Sequence, residues 1–480
     1  MRHIYRVRHL LLLSILLLCF SCASYYQMNY KFNRYFEEGE MEKAEKVLAN
    51  SKKASEGKAK LLYHLNRGLV ASLQGEYEES NQFFEQAYTL GEDLRNNYWN
   101  TATSLLLNPN FTYYTGEDHE LLLIHYYKAL NFLKMDDRQS ALVECRRLNI
   151  KLQQLSDKYK SNVLGKKGKY SRDAFVHNLM GIIYDADQDY NNAFIAYRNA
   201  IEIYQQDYQT LFGVGPPEQL KKDLLRTAYL MGFETELTSY EKQFGIKYQH
   251  EKQEGGELVF FWNNGLGPVK DEWSINFALV RGRGGVVNFT NDALGLTFPF
   301  QLENEEDYEK KNLSSVEFIR VAFPKYVERP MLFNNAYLLL GQGKKITLEQ
   351  AENISEIAFQ SLQQRMLKEF GVSLLRVAIK KATEYSVRKE NDDLGAVIGL
   401  VNAITEKADT RNWQTIPHSI YYGRAKLPEG QQHISLHMQG NPRNGHSRDH
   451  DFVVNIQKGK TTFQTFHSLD TDYVYSALNY

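Results

Sequence analysis

The spacing of apolar residues changes once along this chain, near Glu257, and that change sets most of what it can fold into. Before it, apolar positions recur every three or four residues, as on an amphipathic helix; after it they alternate in twos, as along a strand. Leu258, Phe260 and Trp262 share one face, and Asn263-Asn264-Gly265-Leu266-Gly267 turns. Ile275, Phe277 and Leu279 follow, then Arg281-Gly282-Arg283-Gly284-Gly285 turns into Val286 and Val287. Ile319, Val321 and Phe323 come next, then Ile434, Leu436 and Met438, then Phe452, Val454 and Ile456, with an end near Tyr473 to Tyr475. Short strands with Gly-rich turns predict an antiparallel β-sandwich-like domain over residues 256–480. Within it, Ile354, Ile357, Ala358, Leu362 and Met366 return to helical spacing, so a helical insertion is expected over about 347–405. The fold class is α+β.

The helical half, residues 22–250, carries internal repeats. Near Ala174, Gly181 and Tyr184 fall in a first helix, Gln188-Asp189-Tyr190 turns, and Ala193, Tyr197 and Ala200 line a second. A second copy has Gly68, Gly75-Glu76-Tyr77, Ser80, Phe84 and Ala87; a third runs through Ala129, Phe132, Ala141 and Cys145. A weaker first copy has Tyr35, Gly39-Glu40, Ala44 and Leu48. The small residues let paired helices approach and the aromatic fills the gap beside them. This pattern resembles tetratricopeptide repeats and implies an α-solenoid. Copies begin near residues 25, 61, 122 and 174, so long inserts must separate the later ones, such as Asn96 to Glu120 and Asp157 to Arg172. Helices over Leu220 to Phe244 are expected to cap the stack. Stacked pairs make a concave, here Tyr-rich, groove suited to peptide recognition.

The N-terminus supplies an address. Arg2, Arg6 and Arg8 precede an apolar run from Leu10 to Phe20, too short to span a bilayer but suited to a signal peptide over 1–21. Cys19-Phe20-Ser21-Cys22 closes it, and a small residue before a cysteine resembles the bacterial lipobox, which implies acylation of Cys22. Cys19 and Phe20 depart from the commonest form of that motif. Cys145, in an apolar helical stretch, is expected to be a buried small hydrophobe. With Lys+Arg 57 against Asp+Glu 58 the chain is no broadly basic nucleic-acid binder, and 43% hydrophobic residues provide ample core.

Further segments resemble an uncharacterised family of bacterial tetratricopeptide-like lipoproteins. They are Leu106-Leu107-Asn108, Tyr114-Thr115-Gly116-Glu117-Asp118, His125 to Asn131, Ala141 to Glu144 with Arg146-Arg147, Asn264 to Lys270, Ala322 to Tyr326 and Ala408 to Trp413. The resemblance covers nearly the whole chain after the signal peptide and brings no catalytic residues. It implies a protein-interaction scaffold or adaptor in the cell envelope, lipid-anchored in the outer membrane and facing the periplasm. Such proteins often accompany lipoproteins similar to penicillin-binding-protein activators, a hint toward peptidoglycan assembly. The implied partners are an envelope protein or peptide and the membrane, with no nucleic acid. The alternative is a hydrolase or carbohydrate-binding protein with a site between the two halves.

Candidate chemistry is sparse, and neither a cofactor nor a metal is expected. Gly459-Lys460-Thr461 lacks the preceding glycine of a phosphate-binding loop, since Val454 stands there. His433 and His437 share a strand face but lie roughly 13 Å apart, too far for one zinc ion. His446, Asp449, His450 and Asp451 read as a solvated loop after Gly440-Asn441-Pro442. Glu117 and Asp118 suit a helix N-terminus. Trp413, with Arg411 and Asn412, is expected to plug the sandwich edge. Gly395 and Gly399 suit close helix packing. Recognition is assigned to the long insert, at Asn108, Asn110, Tyr113, Tyr114 and Gly116, because long structured inserts are often functional.

Overall fold

A computed structural model describes residues 25–98, 112–160, 172–250, 255–281, 286–301, 317–390, 407–441 and 445–471. Cys22, Asn108, Asn110, the turn at 282–285, Gly395, Gly399 and Tyr473 to Tyr475 lie outside them. Helices come first: α1 (Tyr25–Met28), α2 (Tyr30–Glu37), α3 (Met41–Ala49), α4 (Lys52–Glu56), α5 (Lys60–Gln74), α6 (Tyr77–Tyr98), α7 (Asp118–Lys134) and α8 (Arg138–Lys160). Then follow α9 (Ala174–Ala186), α10 (Tyr190–Ile203), a π-helical turn (Tyr204–Tyr208), α11 (Gln209–Phe212), α12 (Glu218–Leu230) and α13 (Glu234–Phe244). The strands are β1 (Gly256–Asn264), β2 (Val269–Arg281), β3 (Val286–Asn291), β4 (Leu296–Gln301), β5 (Glu317–Val327), β6 (Phe333–Leu339) and β7 (Lys345–Asn353). After α14 (Ile354–Glu390) come β8 (Ser419–Leu427), β9 (Gly430–Gly440), β10 (Ser447–Ile456) and β11 (Thr461–Ser468).

Five helix pairs share one turn. Gly39, Gly75, Asp136, Gln188 and Gly232 all have positive φ, and the next residue's N–H reaches back to a carbonyl five positions earlier. Those bonds, such as Glu76 to Ala71 and Asp189 to Tyr184, are both 2.9 Å. This left-handed cap satisfies the end of the first helix and reverses the chain. Pairing then follows size: a Cβ on Gly68 would meet the Phe84 ring at 2.8 Å, and one on Gly181 the Tyr197 ring at 2.4 Å. Ala129 and Cys145 take the corresponding places between α7 and α8, both buried. The segment expected only to cap the stack, α12 with α13, makes the same turn.

The β half differs from a sandwich. Its larger sheet has seven strands in the order β10-β9-β6-β7-β8-β1-β11, antiparallel except for the parallel pair β1 and β11. The smaller is antiparallel, in the order β4-β3-β2-β5. The two keep separate cores where a sandwich would share one. One face of the large sheet, with Phe260, Trp262, Leu436 and Met438, is closed by the sheet's own curl. Phe452 of β10 meets Phe260 and Phe466 at 5.3 and 5.7 Å, and Thr462 Oγ1 donates to the Asn455 carbonyl. Its other face, with Val259, Phe261, Ile420 and Tyr422, belongs to the core of the helix pairs. The small sheet packs Phe277, Val321 and Phe323 against Phe370 and Leu374 of α14. The helix expected from about 347 therefore starts at Ile354. Lys345–Asn353 is a strand because β6 and β8 pair with it on both sides, which overrides the helical leaning of its Glu, Gln and Ala.

Candidate functional site: the groove of the helix pairs

The first helices of successive pairs line the groove, and the chain's own β half fills it. Ala408 to His418 is irregular and nearly all buried. Its buried polar groups must find partners, and the helices supply several of them. Tyr25 N–H donates to Thr410 Oγ1 at 2.9 Å, and Asn33 of α2 donates to Gln414 Oε1 at 3.1 Å. Thr415 donates to Asn66 of α5 at 2.8 Å, and Trp413 N–H to Glu120 of α7 at 2.7 Å. Trp413 itself packs against both Phe84 and Tyr127, with ring centres 5.9 and 5.8 Å away. It therefore seats in the helical groove and does not plug a sheet edge. Arg329 fastens the segment from the other side, donating to the Gln414 and Gly267 carbonyls and to Glu37 of α2.

Two buried charge clusters hold the same seam. Glu117 forms a capping box with Glu120 at the start of α7, as the expected helix-start role requires, and also pairs with Lys270 of β2 and Arg365 of α14. Burial alone would raise its pKa, but Arg365 and Lys270 overcome that and hold the carboxyl well below the usual range. Glu120 is pushed up by burial and by the Glu117 charge, while it accepts from Tyr114 at 2.6 Å. The second cluster centres on Arg424 of β8, which reaches Asp185 of α9 at 2.8 Å, Glu257 of β1 at 2.9 Å and the Tyr197 hydroxyl at 3.2 Å. Arg226 joins at Asp185, and Asp223 lies 3.5 Å from Arg424. Burial raises Asp223 to about 6 against the pull of Arg424 and Arg226.

Between the clusters, His119, Asp173 and Glu352 border a cavity of about 30 Å³ with mostly apolar walls. At about 10–15 Å³ per water, that is room for about two or three. Burial lowers His119 to about 4, and neither ring nitrogen meets a hydrogen-bond partner. Burial and the neighbouring Asp173 push Glu352 well above the usual carboxylate range.

The assigned recognition residues separate. Tyr113 is 52% exposed, but Tyr114 is 4% exposed. The Tyr114 N–H donates to the Lys58 carbonyl at 2.8 Å, its hydroxyl to Glu120, and its ring lies beside the Arg411 guanidinium. Gly116, at φ 76°, lets the chain turn tightly into α7, with Leu61 and Leu121 against its α-carbon. The histidines also change place. Ser447–Ile456 is a strand, not a loop, so Asp449 and Asp451 point to one face, bonded to His437 and Ser435, and His450 to the other, against Phe466. Ser419, His418 and Glu328 line up through bonds of 2.9 and 3.2 Å like a nucleophile relay, yet Ser419 is 0% exposed and no substrate can reach it. Cys145 is buried and its thiol is pushed up by burial. Among the described residues no group of three or more His, Cys, Asp or Glu could hold a metal.

Asn33, Asn66, Glu120 and Arg424 were not singled out from sequence. Their one signal is a polar residue on an otherwise apolar helix or strand face, as in Leu61 to Leu73 around Asn66. Fold and site together define an α+β protein in which helix pairs cradle a β-sheet of the same chain. No protein-family profile matches it, and no curated protein does. Among solved structures it is similar to the crystal structure of BtubC (BKLC) from P. vanneervenii. That likeness is 12% identity over 47% of this chain and 83% of the other, with TM-score 0.29, and carries no argument.

Proposed function

We propose that this is a bacterial lipoprotein, anchored at Cys22 in the outer membrane and facing the periplasm, that serves as a protein-interaction scaffold in the cell envelope, with peptidoglycan assembly as its setting. Its helix pairs are of the tetratricopeptide kind, a reading supported by the common left-handed turn and by the Gly68–Phe84 and Gly181–Tyr197 contacts. The observation that carries the scaffold reading is the groove filled by Ala408 to His418. The helices spend their recognition surface on fixing the β half, so one rigid body presents its outer surfaces to a partner. Binding suits this arrangement better than catalysis, because the Glu117, Arg424 and Ser419 groupings are each closed over by packing. Among the described residues no helix is long and apolar enough to cross a membrane.

Tyr113 is the contact to test, since its ring stands exposed where Tyr114 does not. Partner capture from solubilised envelopes should fall with Tyr113→Ala while the melting profile stays as in wild type. Equal capture by both would remove the insert from the reading. Separately, Cys22→Ala should move the protein from the membrane to the soluble fraction; full sedimentation after a salt wash would refute lipid anchoring.

A further inference from the structure

The folded body begins almost at the cysteine that the sequence marks for acylation. Only Ala23 and Ser24 lie between Cys22 and α1. Tyr25 is already fixed by its bond to Thr410, and Tyr26 is buried with its hydroxyl on Glu37 at 2.9 Å. Three residues of extended chain reach about 10 Å. A headgroup layer is roughly 5–8 Å deep, so even a fully extended tether keeps this end of the protein within roughly 2–5 Å of the bilayer surface.

The side chains at that end suit such a place. Met28 is 62% and Tyr30 60% exposed, the highest values among the large hydrophobic residues described. Lys31 and Arg34, on the same short stretch, are also exposed. A tyrosine carries an apolar ring and a polar tip and favours the level of the headgroups. Basic side chains beside it match anionic lipid. In open water Met28 and Tyr30, two residues apart in the chain, would each stand without cover.

We propose that the α1–α2 end is a bilayer-contacting face, with Met28 and Tyr30 seated among the headgroups of the membrane that holds Cys22. This rests on the lipidation reading above. It orients the protein: the first helix pair lies on the lipid, so partners must approach the surfaces turned away from it.

The test uses the acylated full-length protein. Because Cys145 is buried, an environment-sensitive fluorophore can be placed by Met28→Cys, by Tyr30→Cys, or, as a control, by Val453→Cys on β10, 55% exposed. Each protein is reconstituted into vesicles of phosphatidylethanolamine and phosphatidylglycerol carrying a spin-labelled lipid. Probes at Met28 and Tyr30 should shift to the blue and lose most of their fluorescence to the spin label, while the probe at Val453 keeps its own. Flotation with the vesicles but without quenching at Met28 and Tyr30 overturns this proposal alone. A blue shift without lipid quenching also overturns it, in favour of a protein or a second copy on that face. Failure to float at all overturns the lipidation reading and this face with it.

Discussion

At the residue scale, the close approach of paired helices rests on glycines whose replacement has a calculable consequence. Tyr197 cannot yield to a methyl group on Gly181, because its ring is fully buried and its hydroxyl is held by Asp185 and Arg424. Gly181→Ala should therefore destabilise the protein by about 1–3 kcal/mol through overpacking. Gly39→Ala, with nothing within 4 Å of the new carbon, should cost only the left-handed backbone, about 1–2 kcal/mol. Urea unfolding of both variants decides it; an unchanged stability for Gly181→Ala would mean that packing is not why a glycine stands there. Asp223 gives a pH test. Its folded pKa, about 6, lies above its ordinary value, so its contribution is complete below that ordinary value and is lost as pH rises through about 6. Asp223→Asn should gain stability relative to wild type across that rise and hold a constant difference above it. A difference that does not change with pH would place the buried proton elsewhere in the Arg424 cluster. Sequence made the Gly181–Tyr197 pair legible, because a small and a large residue recur at matching places in several copies. It hid the burial of Tyr114, which lies outside any regular element and so has no period to read.

At the element scale, regular segments were legible and irregular ones were not. Four helix pairs follow from small-residue spacing, and the fifth was visible as helices but not as a pair. Strand β7 was hidden by residues of helical propensity, and β8 by burial at nearly every position, which leaves no alternation to read. Ala408 to His418 had no period at all, yet it is the element that joins the halves. Its anchor is Trp413, fully buried against Phe84 and Tyr127. Trp413→Ala should cost about 3–5 kcal/mol, the range for truncating a large buried aromatic. Trp413→Phe, which keeps a ring in the groove, should cost less. Amide exchange should report where the loss falls, with α5, α7 and β8 losing protection together. If β8 alone became labile, the segment would be a strand brace and not the tie between sheet and helices.

At the scale of the whole molecule, the expected boundary near residues 250–256 is real in the element order but not in the core. Val259, Phe261, Ile420 and Tyr422 of the sheet share one buried cluster with Leu65, Phe84, Tyr127 and Tyr197 of the helix pairs. Arg424 brings its charge into the same seam from the sheet, and Asp185 and Asp223 receive it from the helices. Period analysis separates these halves because it sees each face only against its own neighbours along the chain. It cannot see that the groove face of one and the inner face of the other cover each other. A helical half on its own would expose that apolar groove and leave Asp185, Asp223 and Glu120 without Arg424 or Trp413, and the core shared by the helix pairs and the large sheet predicts that these two unfold in one cooperative transition. Residues 25–250 expressed alone should therefore lack a sharp transition, whereas co-expression with residues 255–480 should return a complex that melts as the intact chain does. A sharp, independent transition for residues 25–250 at the stability of the intact protein would show that the helices carry themselves and that the β half is cargo in a preformed groove.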